Sequence, residues 1–176
     1  MDRHKNVIKL SDVPVESMKS PDGSPFGGKR QRIGRAIGAK KLGYSYFVVP
    51  PGKAAFPFHT HYTNEEMIFI FEGEGSLRFG KGEMPVSSGM FIAFPPGPEH
   101  PHQLINRSNG DLRYLVVSTM EYPDLSEYPD SNKIGAYSSS AADGGFRALY
   151  LKDSNVDYYR DETGAQIGKT NRKERR

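Results

Sequence analysis

The chain has 176 residues with 10 Phe, 10 Tyr, no Trp and no Cys, which suits one domain with extensions at roughly 100–200 residues per domain. Without cysteine there is no disulfide scaffold, no thiolate metal site and no cysteine nucleophile. The net charge of +3 hides an uneven spread: residues 1–43 hold 10 Lys/Arg against 4 Asp/Glu, residues 44–167 hold 9 against 16, and residues 168–176 hold 5 against 1.

The basic stretches are therefore the ends, and the middle is acidic. Residues 1–43 read as an N-terminal arm, partly extended, with the loop chemistry of SPDGSPFGGKR inside it. From Tyr44 the texture turns to short strands. YSYFVV closes at Pro50-Pro51-Gly52, EMIFIFEG ends at Gly73, and GSLRFGKGEM forms a hairpin about Gly80-Lys81-Gly82. MFIAF stops at PPGPEHP, and HQLIN and LRYLVVST are expected to pair across a turn at Ser108–Asp111. Short strands with Gly/Pro/Asn punctuation and no amphipathic helix predict an antiparallel sandwich or barrel over residues 44–119. Residues 120–152 read as loop, with one late strand in FRALYLKD, and residues 153–176 as a flexible basic tail.

Four of the five histidines fall in two clusters. His59 and His61 lie two apart, so on a strand both imidazoles face one side. Glu66 follows, and His100 and His102 come later with Asn106. Imidazole with carboxylate suits borderline or hard divalent ions, here one of Mn, Fe, Zn, Ni or Co. Three neutral histidines and one glutamate leave one or two coordination positions open, which separates a catalytic from a structural site.

Gly52-x6-His59-x-His61-x4-Glu66-x6-Gly73 resembles the first conserved motif of the cupin superfamily. Gly89-x5-Pro95-x-Gly97-PEHP-His102-x3-Asn106 resembles the second. Six residues rather than five precede His59. In the second motif His100 satisfies the glycine-to-histidine spacing and His102 the histidine-to-asparagine spacing. The latter lies within a strand, where insertions are not tolerated, so His102 is taken as the ligand; the E-x6-G spacing likewise selects Glu66 over Glu65. The resemblance implies an all-β fold, the double-stranded β-helix or jelly-roll cupin barrel. It also implies a metal held by His59, His61, Glu66 and His102. Tyr128-Pro-Asp-Ser131-x-Lys133 resembles a segment that follows the barrel in some small bacterial cupins.

Glu66 could also detach and act as a catalytic base. Arg78, Lys53 and Tyr114 lie on or beside predicted strands and are the candidates for binding substrate; Arg113 and the arm's Lys29–Arg32 stretch are weaker ones. GAQIGKT at 164–170 is one residue short between its glycines for a phosphate-binding loop and lacks the flanking strand and helix. Parity puts Ile68 and Ile70 with Glu66 inside the barrel, and Met67, Phe69 and Phe71 outside. That outward stripe needs a cover, either the arm or a second copy, and a homodimer is expected.

The function expected is a metal-dependent enzyme acting on a small polar substrate, with isomerase-type chemistry on a sugar or sugar phosphate. The alternatives are a dioxygenase or decarboxylase of a small organic acid, and a non-catalytic small-ligand or sensor module. A nucleic-acid partner is not expected, since no recognition helix or aromatic-basic stripe is present. A membrane partner is not expected either, since no apolar run approaches the ~18 residues of a span. MDRHKNVIKL has no signal-peptide apolar stretch, so the cytoplasm is the expected location.

Overall fold

The computed structural model describes residues 4–139 and 144–164; the basic segment 168–176 and most of the GAQIGKT stretch lie outside the described residues. The protein is a jelly-roll barrel, almost all β. In chain order its strands are β1 (Val15–Lys19), β2 (Gly27–Gln31), β3 (Leu42–Val49), β4 (Thr60–His61), β5 (Glu66–Glu72), β6 (Glu74–Phe79) and β7 (Gly82–Ser87). They continue as β8 (Phe91–Phe94), β9 (His102–Ile105), β10 (Leu112–Thr119), β11 (Asp124–Tyr128), β12 (Lys133–Tyr137) and β13 (Arg147–Leu151). One helical turn, α1 (Ile33–Ala36), links β2 to β3.

Six strands form one sheet in the order β1-β2-β3-β10-β5-β8. The facing wall is made of β13-β12-β11-β4 and β7-β6-β9, joined where His59 and His102 form an antiparallel bridge. Between the walls lie Phe47, Val49, Ile68, Ile70, Leu77, Phe94, Leu104, Leu112 and Tyr114. Ile70 and Leu112 are fully buried, and each such side chain contributes about 1.5–3 kcal/mol on burial. Period-2 alternation in EMIFIFE places them: Ile68 and Ile70 point in, Phe71 points out.

Gly73 closes the turn between β5 and β6. Its φ is 88°, and a Cβ there would sit 2.4 Å from the Asp111 carbonyl oxygen, so only glycine fits.

Two sequence readings need correction. HQLIN and LRYLVVST do not pair: β9 pairs with β6, while β10 runs between β3 and β5. The Ser108–Asp111 turn carries the chain from one wall to the other, as a jelly roll requires. Residues 120–139 are not loop but hold β11 and β12. Their pattern is inverted: Asp124 and Ser126 are buried while Leu125 is 41% exposed. A strand whose inner face is polar escapes a hydrophobicity reading.

The first 43 residues contribute the β1–β2 hairpin, which pairs on the free side of β3. The hairpin lies at the opposite end of that sheet from β8, so it does not cover the outer aromatic stripe. Phe71 stays 50% and Phe91 73% exposed.

Candidate metal centre

His59 immediately precedes β4 and His61 ends it, Glu66 opens β5, and His102 opens β9. The bridge between His59 and His102 carries reciprocal backbone bonds of 3.1 and 2.8 Å. This locks two histidines from distant sequence side by side, with ring centroids 4.7 Å apart. The loop before β9 is held by Gly97, whose N–H donates to the His61 carbonyl (2.7 Å) and whose carbonyl accepts from the Thr60 hydroxyl (2.5 Å).

Each imidazole is oriented in the same way. His59 Nδ1 donates to the Pro57 carbonyl (2.9 Å), and His102 Nδ1 donates to the His100 carbonyl (3.1 Å). His61 Nδ1 lies 2.6 Å from the Asp124 carboxylate, with Ser126 Oγ 3.1 Å away. A carbonyl or carboxylate can only accept, so each Nδ1 carries a proton and Nε2 is the nitrogen available to a ligand. All three Nε2 atoms converge on one Glu66 oxygen, at 3.9 Å (His59), 3.8 Å (His61) and 3.2 Å (His102). Ligand atoms of His59, His61 and Glu66 lie within 4.8 Å of one another. An acceptor behind each of the three histidines fixes its ring direction, as metal sites commonly require. The residues present therefore fit a divalent ion.

Electrostatics agree. Burial pushes His59 down from 6.5 to about 4, helped by the neighbouring His102, so it is neutral at neutral pH. Burial also opposes charge on His61, but the Asp124 bond and the Glu66 charge outweigh it and raise its pKa. Burial disfavours the Glu66 carboxylate, yet the bond from His102 Nε2 (3.2 Å) and then the charge of His61 hold it down at about 2 in the metal-free protein, where a proton takes the place an ion would occupy.

The cluster lies in a cavity of about 380 Å³, within the usual range of small-molecule sites. Its apolar wall includes Phe56, Ile68, Leu104 and Val116. Tyr114 also lines it, stacked on Phe47 at 5.3 Å, with burial and the Glu66 charge raising its hydroxyl far above the ordinary value.

The other expected substrate residues are placed elsewhere. Arg78 does not line this cavity: its guanidinium makes two bonds to Asp130 (2.7 and 3.1 Å), one to Gln103 (3.0 Å), and lies over Phe58. Lys53 lines a second cavity against the β1–β2 hairpin. Arg30 and Arg32 of the arm both pair with Glu16. Arg113 pairs with Glu72 and Asp111. His100 stacks on Phe79 and offers its carbonyl, not its ring, to the cluster.

Residues not foreseen come from β11, β12 and β13. Asp124, Ser126 and Tyr128 share the inner face of β11, and Tyr137 and Arg147 complete the wall. Tyr128 stacks on His59 (6.0 Å, 18°). The signal was available: polar residues at 124, 126 and 128 alternate with period 2 inside a stretch read as loop.

Residues 45–118 match the cupin domain family. Over 75 residues the chain is 35% identical to an uncharacterized protein of Methanocaldococcus jannaschii; the match covers 43% of this chain and 58% of the relative. The chain thus spans little more than half the length of that curated relative. A sugar phosphate isomerase of the cupin superfamily from Silicibacter pomeroyi superposes with a TM-score of 0.74 at 25% identity, covering 86% of this chain and 96% of that one. A protein from Acidithiobacillus ferrooxidans with a provisional sugar phosphate isomerase assignment superposes with a TM-score of 0.76 at 21% identity, covering 87% and 96%. At that identity the second likeness shows the fold alone. Among the described residues no helix is long and apolar enough to cross a membrane.

Proposed function

We propose, from the premise that this barrel belongs to the cupin superfamily, that it binds one divalent metal ion and isomerises a small sugar phosphate. The observation that carries the reading is the common orientation of three imidazoles, each Nδ1 held by an acceptor and each Nε2 aimed at Glu66. His59, His61 and His102 through Nε2, and Glu66 through its carboxylate, are the residues that hold the ion. Such an ion, when bound, would act as a Lewis acid on a substrate carbonyl and acidify the neighbouring C–H bond. The apolar wall of Phe56, Ile68, Leu104 and Val116 limits water around the reacting carbon, and Asp124 keeps His61 in its ligating tautomer. The superposition on the Silicibacter pomeroyi isomerase at 25% identity supports this choice of reaction.

The test is metal analysis of protein purified without added metal, followed by solvent-deuterium exchange into aldose and ketose phosphates. The reading expects near-stoichiometric metal and metal-dependent exchange. Protein that takes up no divalent ion at any tested concentration sinks it. Oxygen uptake with a small organic acid, without exchange, turns it to the dioxygenase or decarboxylase alternative.

We propose also that the aromatic face of β5 and β8 packs against a second copy of the chain. Phe69 contacts Phe71 and Phe91 at 4.8 and 4.4 Å, so the exposed rings are one continuous patch. β8 is moreover the free edge of its sheet, where another strand can add.

A further inference from the structure

We infer that Arg147, with the paired hydroxyls of Tyr128 and Tyr137, binds the anionic group of the substrate on the part of the cavity wall that β11, β12 and β13 build, away from β4 and the ion's ligands. This rests on the metal-dependent isomerase reading and names the end of the substrate that the histidine cluster does not touch.

Among the described residues Arg147 is the only Lys or Arg lining the cavity. It is also free of a carboxylate partner among them. The other guanidiniums placed above are neutralised: Arg78 by Asp130, Arg113 by Glu72 and Asp111, and Arg30 and Arg32 by Glu16. The β12–β13 register sets Arg147 directly across from Tyr137. Its guanidinium lies 5.0 Å from the centre of the Tyr137 ring, which holds the planar fork while leaving its N–H donors available.

The Tyr128 and Tyr137 hydroxyls are 3.1 Å apart. One of them donates to the other, so one O–H proton remains for a further acceptor. Contacts then run without a break from the cluster to the guanidinium: His59 on Tyr128, Tyr128 to Tyr137, Tyr137 under Arg147.

Charge points the same way. The cavity wall carries two carboxylates, Glu66 and Asp124, which alone would repel an anion. A divalent ion cancels them, and Arg147 leaves the wall positive by one. A guanidinium fork matches two phosphate or carboxylate oxygens, so the substrate class is a small polyol or sugar carrying one such group at the end away from its carbonyl.

The experiment titrates inorganic phosphate calorimetrically into the metal-containing protein and its Arg147→Gln, Arg147→Lys and Arg107→Gln variants. Arg147 is exposed, so its loss should not disturb folding; circular dichroism and metal content check this. Arg107 pairs with Glu83 outside the cavity and controls for net charge. The expected result is phosphate binding weakened about tenfold or more in Arg147→Gln, less in Arg147→Lys, and not at all in Arg107→Gln. Equal affinity in wild type and Arg147→Gln overturns the inference, because phosphate would then be held by the ion alone. No phosphate binding at millimolar concentration overturns it too. Arg147-dependent binding without any deuterium exchange leaves this clamp standing and removes the isomerase reading.

Discussion

His102 and Asn106 stand four residues apart around β9, both buried, and the same motif spacing selects both. Their hydrogen bonding differs. Asn106 is fully buried and fully used: its amide donates to the carbonyls of Val49 and Gly110 (2.7 Å each), and its Oδ1 accepts from the Ser108 N–H and hydroxyl (3.0 and 2.8 Å). It ties β9 to the end of β3 and to the turn before β10. His102 ties Nδ1 to a backbone carbonyl and points Nε2 into a cavity, where it meets only another member of the cluster, the Glu66 carboxylate at 3.2 Å. A buried polar group with every valence spent holds the fold; one with a valence held in reserve, beside two others like it, is built for a ligand. Asn64 falls with Asn106, since its amide group is spent on Thr119 and Glu121.

That contrast can be broken most directly at His102. His102→Ala should cut metal affinity more than the ~10–100-fold expected from losing a supporting residue, with His100→Ala leaving it near wild type. Dialysis against a coloured chelator reads both, and the reverse result would exchange the ligand assignment. Asn106→Ala should act on the other quantity. It strips four bonds from a fully buried site and should cost about 3 kcal/mol or more in urea unfolding, while the folded fraction keeps its metal. If Asn106→Ala instead loses metal with unchanged stability, the division between the two residues is wrong.

Asp124→Ala tests the support beneath His61. It should weaken metal binding by about tenfold to a hundredfold and leave the other two histidines in place. A smaller effect is expected from pH on metal-free protein. Neutral His59, held down from 6.5 to about 4, stabilises fully above 6.5, and that contribution is lost as pH falls through 4. Glu66, lowered from 4.5 to about 2, adds stability above 4.5 that goes as pH falls toward 2. His61 is raised and works against the first trend, being most favourable below 6.5. The urea midpoint should therefore drop on acidification from 6.5, and drop less in His59→Leu; an unchanged midpoint down to pH 4 contradicts this electrostatic picture. Smallest in its effect on the site is Phe91→Glu, which should turn a dimer into a monomer by light scattering without loss of metal.

Much of the barrel was legible because its inner faces are apolar. β3, β5, β6, β8 and β10 all announce themselves by alternation, and Gly73 and Gly97 mark turns that their surroundings demand. β11 and β12 were not legible because their inner faces serve the site: Asp124, Ser126 and Tyr128 stand where a core strand would carry valine or isoleucine. Arg78 and Lys53 were reasonable choices for an anion clamp from strand position. The structure spends the first on Asp130 and puts the second on another cavity, leaving Arg147, from the late strand in FRALYLKD, on the wall.

The sequence by itself determined the strand-rich barrel, the candidate donor residues and the aromatic outer stripe, because strands and stripe follow from residue type and short-range alternation and the candidates from the spacing within two motifs. Only the tertiary structure decided which nitrogen of each histidine faces the centre, that Asp124 stands behind His61, and which cation shares the cavity. His59 and His102 are turned by carbonyls two residues back, but His61 is turned by partners 63 and 65 residues away, and what brings the three rings together is the pairing of distant strands, which no local pattern encodes.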